Sequence, residues 1–120
     1  MNISISYTNE LMTNIEQFSD EAIQWYDLRA SKDIKIREGE FAKIPLGIII
    51  DIPDGYEGNI ILRKGVAEKY GIILPSGMEV IAGNEEVFIT VYAIKDTKIN
   101  FNDRICQLKI VNCQENINFD

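Results

Sequence analysis

The chemistry open to this chain is bounded first by a residue type that it lacks. None of its 120 residues is a histidine, which excludes Ser-His and Cys-His nucleophilic catalysis, imidazole metal sites and the commonest general base at neutral pH. Hydrolysis would have to run on carboxylates, lysines, tyrosines or a bound metal. Cys106 and Cys113 are the only cysteines, without CxxC spacing. They do not form a zinc set, and two reduced packing thiols are expected rather than a disulfide. Lys and Arg number 12 against 19 Asp and Glu, a net charge of −7. That charge repels polyanions and argues against a duplex nucleic-acid binder. A small phosphorylated ligand stays compatible with it, because a few local cations and backbone amides can hold phosphate inside an acidic molecule.

The elements that must position such groups read mostly as strands. With 46% hydrophobic residues the chain can build one core, and a single domain over residues 1–120 is expected. Ile3 and Ile5 alternate with serines in a short first strand. Leu11, Ile15, Phe18 and Ala22 recur at helical spacing, which predicts a short N-terminal helix over residues 10–23. From Trp25 onward the period is mostly two: Ile34 and Ile36 alternate with Lys35 and Arg37, and Phe41 to Ile52 is long and β-branched. Its Ile48-Ile49-Ile50 run predicts a strand buried on both faces. Pro53-Asp54-Gly55 is a turn. Further strands are expected over Gly58 to Leu62, Val87 to Ile94 and Ile105 to Val111, with Asp96-Thr97 and Asn100 to Asp103 as polar connectors. The expected class is all-β, a jelly roll or barrel. No apolar run approaches the ~18 residues of a membrane span. Met1-Asn2-Ile3-Ser4-Ile5 has no secretory character, so a cytoplasmic location is expected.

Four stretches in order carry a resemblance to the trimeric dUTP diphosphatases. Tyr26-Asp27-Leu28-Arg29-Ala30 looks like the first motif of that family. Ile44-Pro45-Leu46-Gly47-Ile48 and the turn at Pro53-Asp54-Gly55 lead to a likeness of the second, Arg63-Lys64-Gly65-Val66-Ala67 followed by Tyr70-Gly71-Ile72. Asp103-Arg104-Ile105-Cys106-Gln107-Leu108 is similar to the fourth. The resemblance implies a distorted jelly roll and a homotrimer with nucleotide sites between subunits. It further implies Mg²⁺ held with the help of Asp27, and phosphates approached by Arg63, Lys64, Gly65 and Gln107. Lys64 stands where the family has a serine; lysine attracts phosphate as a point charge but cannot reproduce a short hydroxyl contact.

The departures bear on turnover. The family's third motif supplies an aspartate that activates water and a tyrosine that packs on the sugar. The corresponding stretch, Pro75 to Glu86, is about two residues shorter than the family pattern. It has no aspartate between Asp54 and Asp96 and no tyrosine between Tyr70 and Tyr92. Glu79 is the one carboxylate near the required place, a weak candidate for the base. Loss of a positioned base typically costs about 10²–10⁴-fold in rate. No glycine follows Gly83 and no arginine follows Arg104, so the glycine-rich fifth motif is not matched; Phe119 is the only aromatic residue left to stack on a base. Gln24 and Trp25 replace the small residues before the first motif. The expected function is a non-hydrolytic nucleotide-binding protein of this family, sequestering or sensing a nucleotide. A viral or phage protein that titrates a nucleotide immune signal in the host cytoplasm is one such case. The alternatives are an active Mg-dependent dUTP diphosphatase and a trimeric scaffold whose segment 10–23 meets a protein partner.

Overall fold

The computed structural model describes residues 1–12, 15–17 and 25–120. Strands dominate: β1 (Ser4–Tyr7), β2 (Glu16–Gln17), β3 (Tyr26–Arg29), β4 (Ile34–Ile36), β5 (Phe41–Asp51) and β6 (Tyr56–Leu62) precede one helical turn, α1 (Val66–Tyr70). After it come β7 (Ile72–Ile73), β8 (Glu79–Ile81), β9 (Asn84–Ala93), β10 (Thr97–Ile99) and β11 (Arg104–Asn112). A four-stranded sheet runs β1-β5-β9-β7 and a five-stranded sheet β2-β3-β11-β6-β8, with β10 and β4 forming a separate ribbon. The described pairings are antiparallel. This is the expected all-β, jelly-roll class.

Alternation of apolar and polar residues dictates which face each strand buries. Ile44, Leu46, Ile89 and Val91 from one sheet and Leu28, Ile60, Cys106 and Leu108 from the other join one apolar cluster, completed by Ile36 and Ile99 of the ribbon. Each fully buried aliphatic side chain contributes about 1.5–3 kcal/mol. The ribbon corrects one expectation: Thr97 begins a strand instead of lying in a connector, because Ile99 opposite Ile34 gives the segment an apolar anchor.

Two other expectations are revised. Ile48 and Ile50 are 2% exposed while Ile49 is 39% exposed, so β5 is buried on one face and keeps its alternation through the isoleucine run. The predicted helix over 10–23 is not what the described part of that segment forms. Glu16–Gln17 pairs with β3, Met12 closes a turn back to Asn9, and Leu11 is 76% exposed. Phe18 and Ala22 lie outside the described residues. Met12 instead packs over Gly47, where the β5–β9 register shifts between Pro45 and Ile49. Gly47 has φ 71, and a Cβ there would collide with Met12 Sδ and come within 2.8 Å of Ser31 Cβ. The bulge is tied on both sides, by Thr8 N–H to Gly47 O at 2.8 Å and by Ser31 N–H to Pro45 O at 3.0 Å.

Candidate functional site

β11 lies between β3 and β6, and the register sets Asp27, Gln107 and Ile61 in one row. Their strand neighbours Leu28, Cys106, Leu108 and Ile60 point into the core, so this row faces the other way. Asp27 and Gln107 are nonetheless only 6% and 7% exposed. Arg63, just beyond β6, covers them: its Nε donates to Asp27 Oδ1 at 3.3 Å. Since β11 stands between β3 and β6, the Arg63 and Asp27 side chains together bridge two strand spacings, roughly 10 Å. Asp27, Arg63 and Gln107 of the sequence-derived set are thus brought together.

The same end of the sheet gathers more positive charge. Arg29 lies two residues from Asp27 on the same face and directly opposite Arg104. Arg29 Nη1 donates to Asn102 O at 2.9 Å. After β6, Val66 N–H to Arg63 O at 3.0 Å closes a turn with Lys64 and Gly65 at its corners. Gly65 has φ 87 and ψ −12, the second corner of a type II turn, which glycine adopts without a Cβ penalty. Both corner residues are exposed, and a Cβ on Gly65 would meet nothing within 4 Å. Arg29, Arg63, Lys64 and Arg104 thus lie at the end of the sheet where the strands carrying Asp27 and Gln107 run into their turns. Arg29 and Arg104 were not singled out from sequence; only the register of β3 on β11 places them in this group.

Glu79 is elsewhere. It stands opposite Ile60 on β8, in the row next to that of Asp27 and thus on the other face of the sheet. Its Oε1 accepts the Thr90 N–H at 2.9 Å, on a stretch of β9 that, among the described residues, pairs only with β5. Only Ala82 and Gly83 link β8 to β9, so the short stretch recognised in the sequence becomes a tight connection with no carboxylate. A cavity of about 360 Å³ is lined mainly by apolar side chains, among them Ile3, Ile5, Ile50, Leu108 and Ile110, with Tyr26 in its wall. Among the described residues its lining holds no charged side chain to meet a phosphate. Cys106 is buried and its thiol is held protonated by burial, then by the charges of Glu79 and Asp27; both cysteines are free, Cys113 at the surface.

Residues 14–120 match the dUTPase family model. The SPbeta prophage-derived deoxyuridine 5'-triphosphate nucleotidohydrolase YosS of Bacillus subtilis (strain 168) is 38% identical over 116 residues, covering 92% of this chain and 80% of that protein. The chain belongs to the dUTPase family. The deoxyuridine 5'-triphosphate nucleotidohydrolase of Finegoldia magna is 32% identical over 123 residues, covering 98% of this chain and 85% of that protein. The fold matches that of the dUTPase from phage phi11 of S. aureus, with a TM-score of 0.84 at 18% identity, over 100% of this chain and 96% of that one. It likewise matches the dUTPase from Streptococcus mutans, with a TM-score of 0.82 at 14% identity over 95% and 98% of the two chains.

Within this dUTPase fold the residues of one chain do not fit a resident Mg²⁺. Asp27 is a lone carboxylate whose Oδ1 is on Arg63, and among the described residues no three acidic, cysteine or histidine side chains gather to hold a metal. Mg²⁺ binds through near-octahedral oxygen shells, often one or two carboxylates together with substrate phosphates. Trp25, the bulky replacement before the first dUTPase motif, lies with its ring 5.7 Å from Lys109 Nζ, half-buried on β11. Phe119 is 91% exposed, in a segment after β11 without regular structure.

Proposed function

We propose that this dUTPase-family protein binds a nucleotide through its phosphates and does not hydrolyse it. The observation that carries this reading is the composition of one sheet face. Arg29, Arg63, Lys64 and Arg104 lie on or next to the strands that carry Asp27 and Gln107, while Asp27, the one buried carboxylate among the described residues, is already engaged by Arg63. Arginine forks suit phosphate oxygens, and Lys64 adds a mobile point charge at the Gly65 turn. Attack on a phosphate needs a base within hydrogen-bond reach of water. Asp27 is neutralised as an ion pair, Glu79 is committed to Thr90 N–H, and the Ala82-Gly83 connection has no carboxylate at all. Without the sugar-packing tyrosine the pocket accepts ribose as well as deoxyribose, so a sequestered or sensed ribonucleotide signal is within its range. The chain acts as a homotrimer with the nucleotide between copies, Mg²⁺ arriving with the phosphates.

A second reading has its own support: relatives at 32–38% identity are named nucleotidohydrolases, which favours Mg-dependent conversion of dUTP to dUMP and pyrophosphate. A trimeric scaffold that binds a protein partner is the third reading; the described part of segment 10–23 is turn and strand. Equilibrium binding of dUTP, other nucleoside triphosphates and cyclic nucleotides, with product analysis of the same samples, separates the first two. Bound, intact nucleotide supports sequestration; no binding at millimolar ligand contradicts it.

A further inference from the structure

We propose that the hydrogen bond between Tyr70 and Asp103 is a positioning device that fixes the Arg63-Lys64-Gly65 loop against the strands carrying Asp27 and Gln107. The proposal rests on the nucleotide-binding reading above and names the residues on which its phosphate side depends. Tyr70 ends α1, is 8% exposed, and donates its hydroxyl to Asp103 Oδ2 at 2.8 Å. The same oxygen accepts Asn100 N–H at 2.9 Å, and Asp103 N–H returns to Asn100 O at 3.1 Å. This turn joins the ends of two site strands. Ala30 N–H, just after β3, donates to Asp103 O at 2.9 Å, and Asn102 N–H donates to Ala30 O at 2.8 Å. Asn102 holds φ 71, a left-handed conformation uncommon outside glycine that persists where surrounding bonds over-determine it.

Tyr70 is the bond from this knot to α1. A five-residue helix cannot hold itself in place, because nucleation of a single turn is unfavourable. The loop before it is pinned in front by Arg63 N–H to Ile105 O at 3.0 Å, and behind by Tyr70. Removing the hydroxyl leaves the front tie and, behind α1, the Ile94 N–H to Gly71 O bond at 2.8 Å, but it unties α1 from the Asp103 turn, so the Lys64-Gly65 loop is held less closely to the strands that carry Gln107 and Arg104. A polyphosphate that must touch both the loop and β11 depends on that distance; a ligand with one phosphate, bound by fewer of these groups, depends on it less. Tyr70 is buried in the core and acts through the loop, so its role is positioning.

The test is Tyr70→Phe, which keeps the ring and removes the bond. Affinities for dUTP and dUMP are measured by titration calorimetry in Mg²⁺ buffer, with amide exchange at Lys64 to Val66 followed in the unliganded protein. The expected result is a loss of dUTP affinity of about threefold to tenfold, the worth of one net hydrogen bond. Binding of dUMP should change less than about twofold, with faster exchange confined to the loop. Asp103→Asn, which keeps an oxygen acceptor, should show a smaller loss with the same selectivity, and carries the comparison if Tyr70→Phe does not fold. Unchanged dUTP affinity and exchange in a wild-type background that binds would overturn the positioning role. So would an equal loss for both ligands, which marks an ordinary core hydrogen bond. A wild-type protein that binds neither nucleotide contradicts the nucleotide-binding reading, and this proposal falls with it.

Discussion

At the scale of residues, the site is governed by which charges are paired and which groups are spoken for. Arg63→Met leaves the carboxylate of Asp27, only 6% exposed, without its cation. The expected loss of stability is about 1–3 kcal/mol, the cost of a buried acceptor left unmet. Asp27→Asn in the same chain should restore part of it, and urea unfolding of the single and double variants checks both. Glu79→Ala should cost about 0.5–1.5 kcal/mol through the lost Thr90 N–H bond, and should leave nucleotide affinity unchanged; a change in turnover would instead give Glu79 the role of base. Tyr70 reports on pH. Burial first, then its bond to Asp103 and the charge of Asp103, push its hydroxyl from 10.0 up to about 12. The unfolded chain loses that proton near pH 10 and the folded chain only near pH 12, so the contribution is complete below about pH 10 and is lost as pH rises to about 12. Stability measured across that window should fall less steeply in Tyr70→Phe. In the sequence, Asp27, Arg63 and Gln107 were recognisable as motif residues. Their pairing was not, because Asp27 and Arg63 are 36 positions apart and meet only through the order β3-β11-β6. Arg29, Arg104 and the Tyr70–Asp103 bond were hidden for the same reason.

At the scale of elements, long strands with a buried face were legible because period-two alternation is enforced along their whole length. β5, β6, β9 and β11 were expected within a few residues of their observed bounds. The short pieces were not. One turn of helix at Val66–Tyr70 and two-residue strands at Glu16–Gln17 and Ile72–Ile73 carry no periodicity of their own and exist through tertiary contacts. The helical spacing of Leu11 and Ile15 misled because a four-residue interval in a turn-rich segment can arise without a helix; Leu11 faces outward, whereas Ile15 packs on the core. The bulge of β5 supplies a test. Gly47→Ala should be among the most damaging glycine substitutions, costing about 1–2 kcal/mol for the left-handed backbone plus about 1–3 kcal/mol for overpacking on Met12 and Ser31. Thermal unfolding should show a much larger drop than for Gly55→Ala, where the left-handed cost applies but a Cβ meets nothing within 4 Å.

At the scale of the whole molecule, a net charge of −7 is compatible with the proposed anionic ligand because Arg29, Arg63, Lys64 and Arg104 lie toward one end of one sheet. That arrangement makes affinity for polyphosphates salt-sensitive, and raising salt should weaken dUTP far more than uridine. Assembly is tested by light scattering coupled to size-exclusion chromatography, where three times the 13.7 kDa chain mass is expected. The missing histidine proved less restrictive than the fate of the carboxylates, one held by arginine and one by a backbone N–H. The most direct measurement follows from that. The protein is incubated with dUTP and Mg²⁺ at stoichiometric concentration, and the ligand is recovered from the protein-bound fraction and identified. Intact dUTP, retained with the protein, is the predicted result. Release of dUMP and pyrophosphate at the rate of an ordinary dUTPase would contradict it.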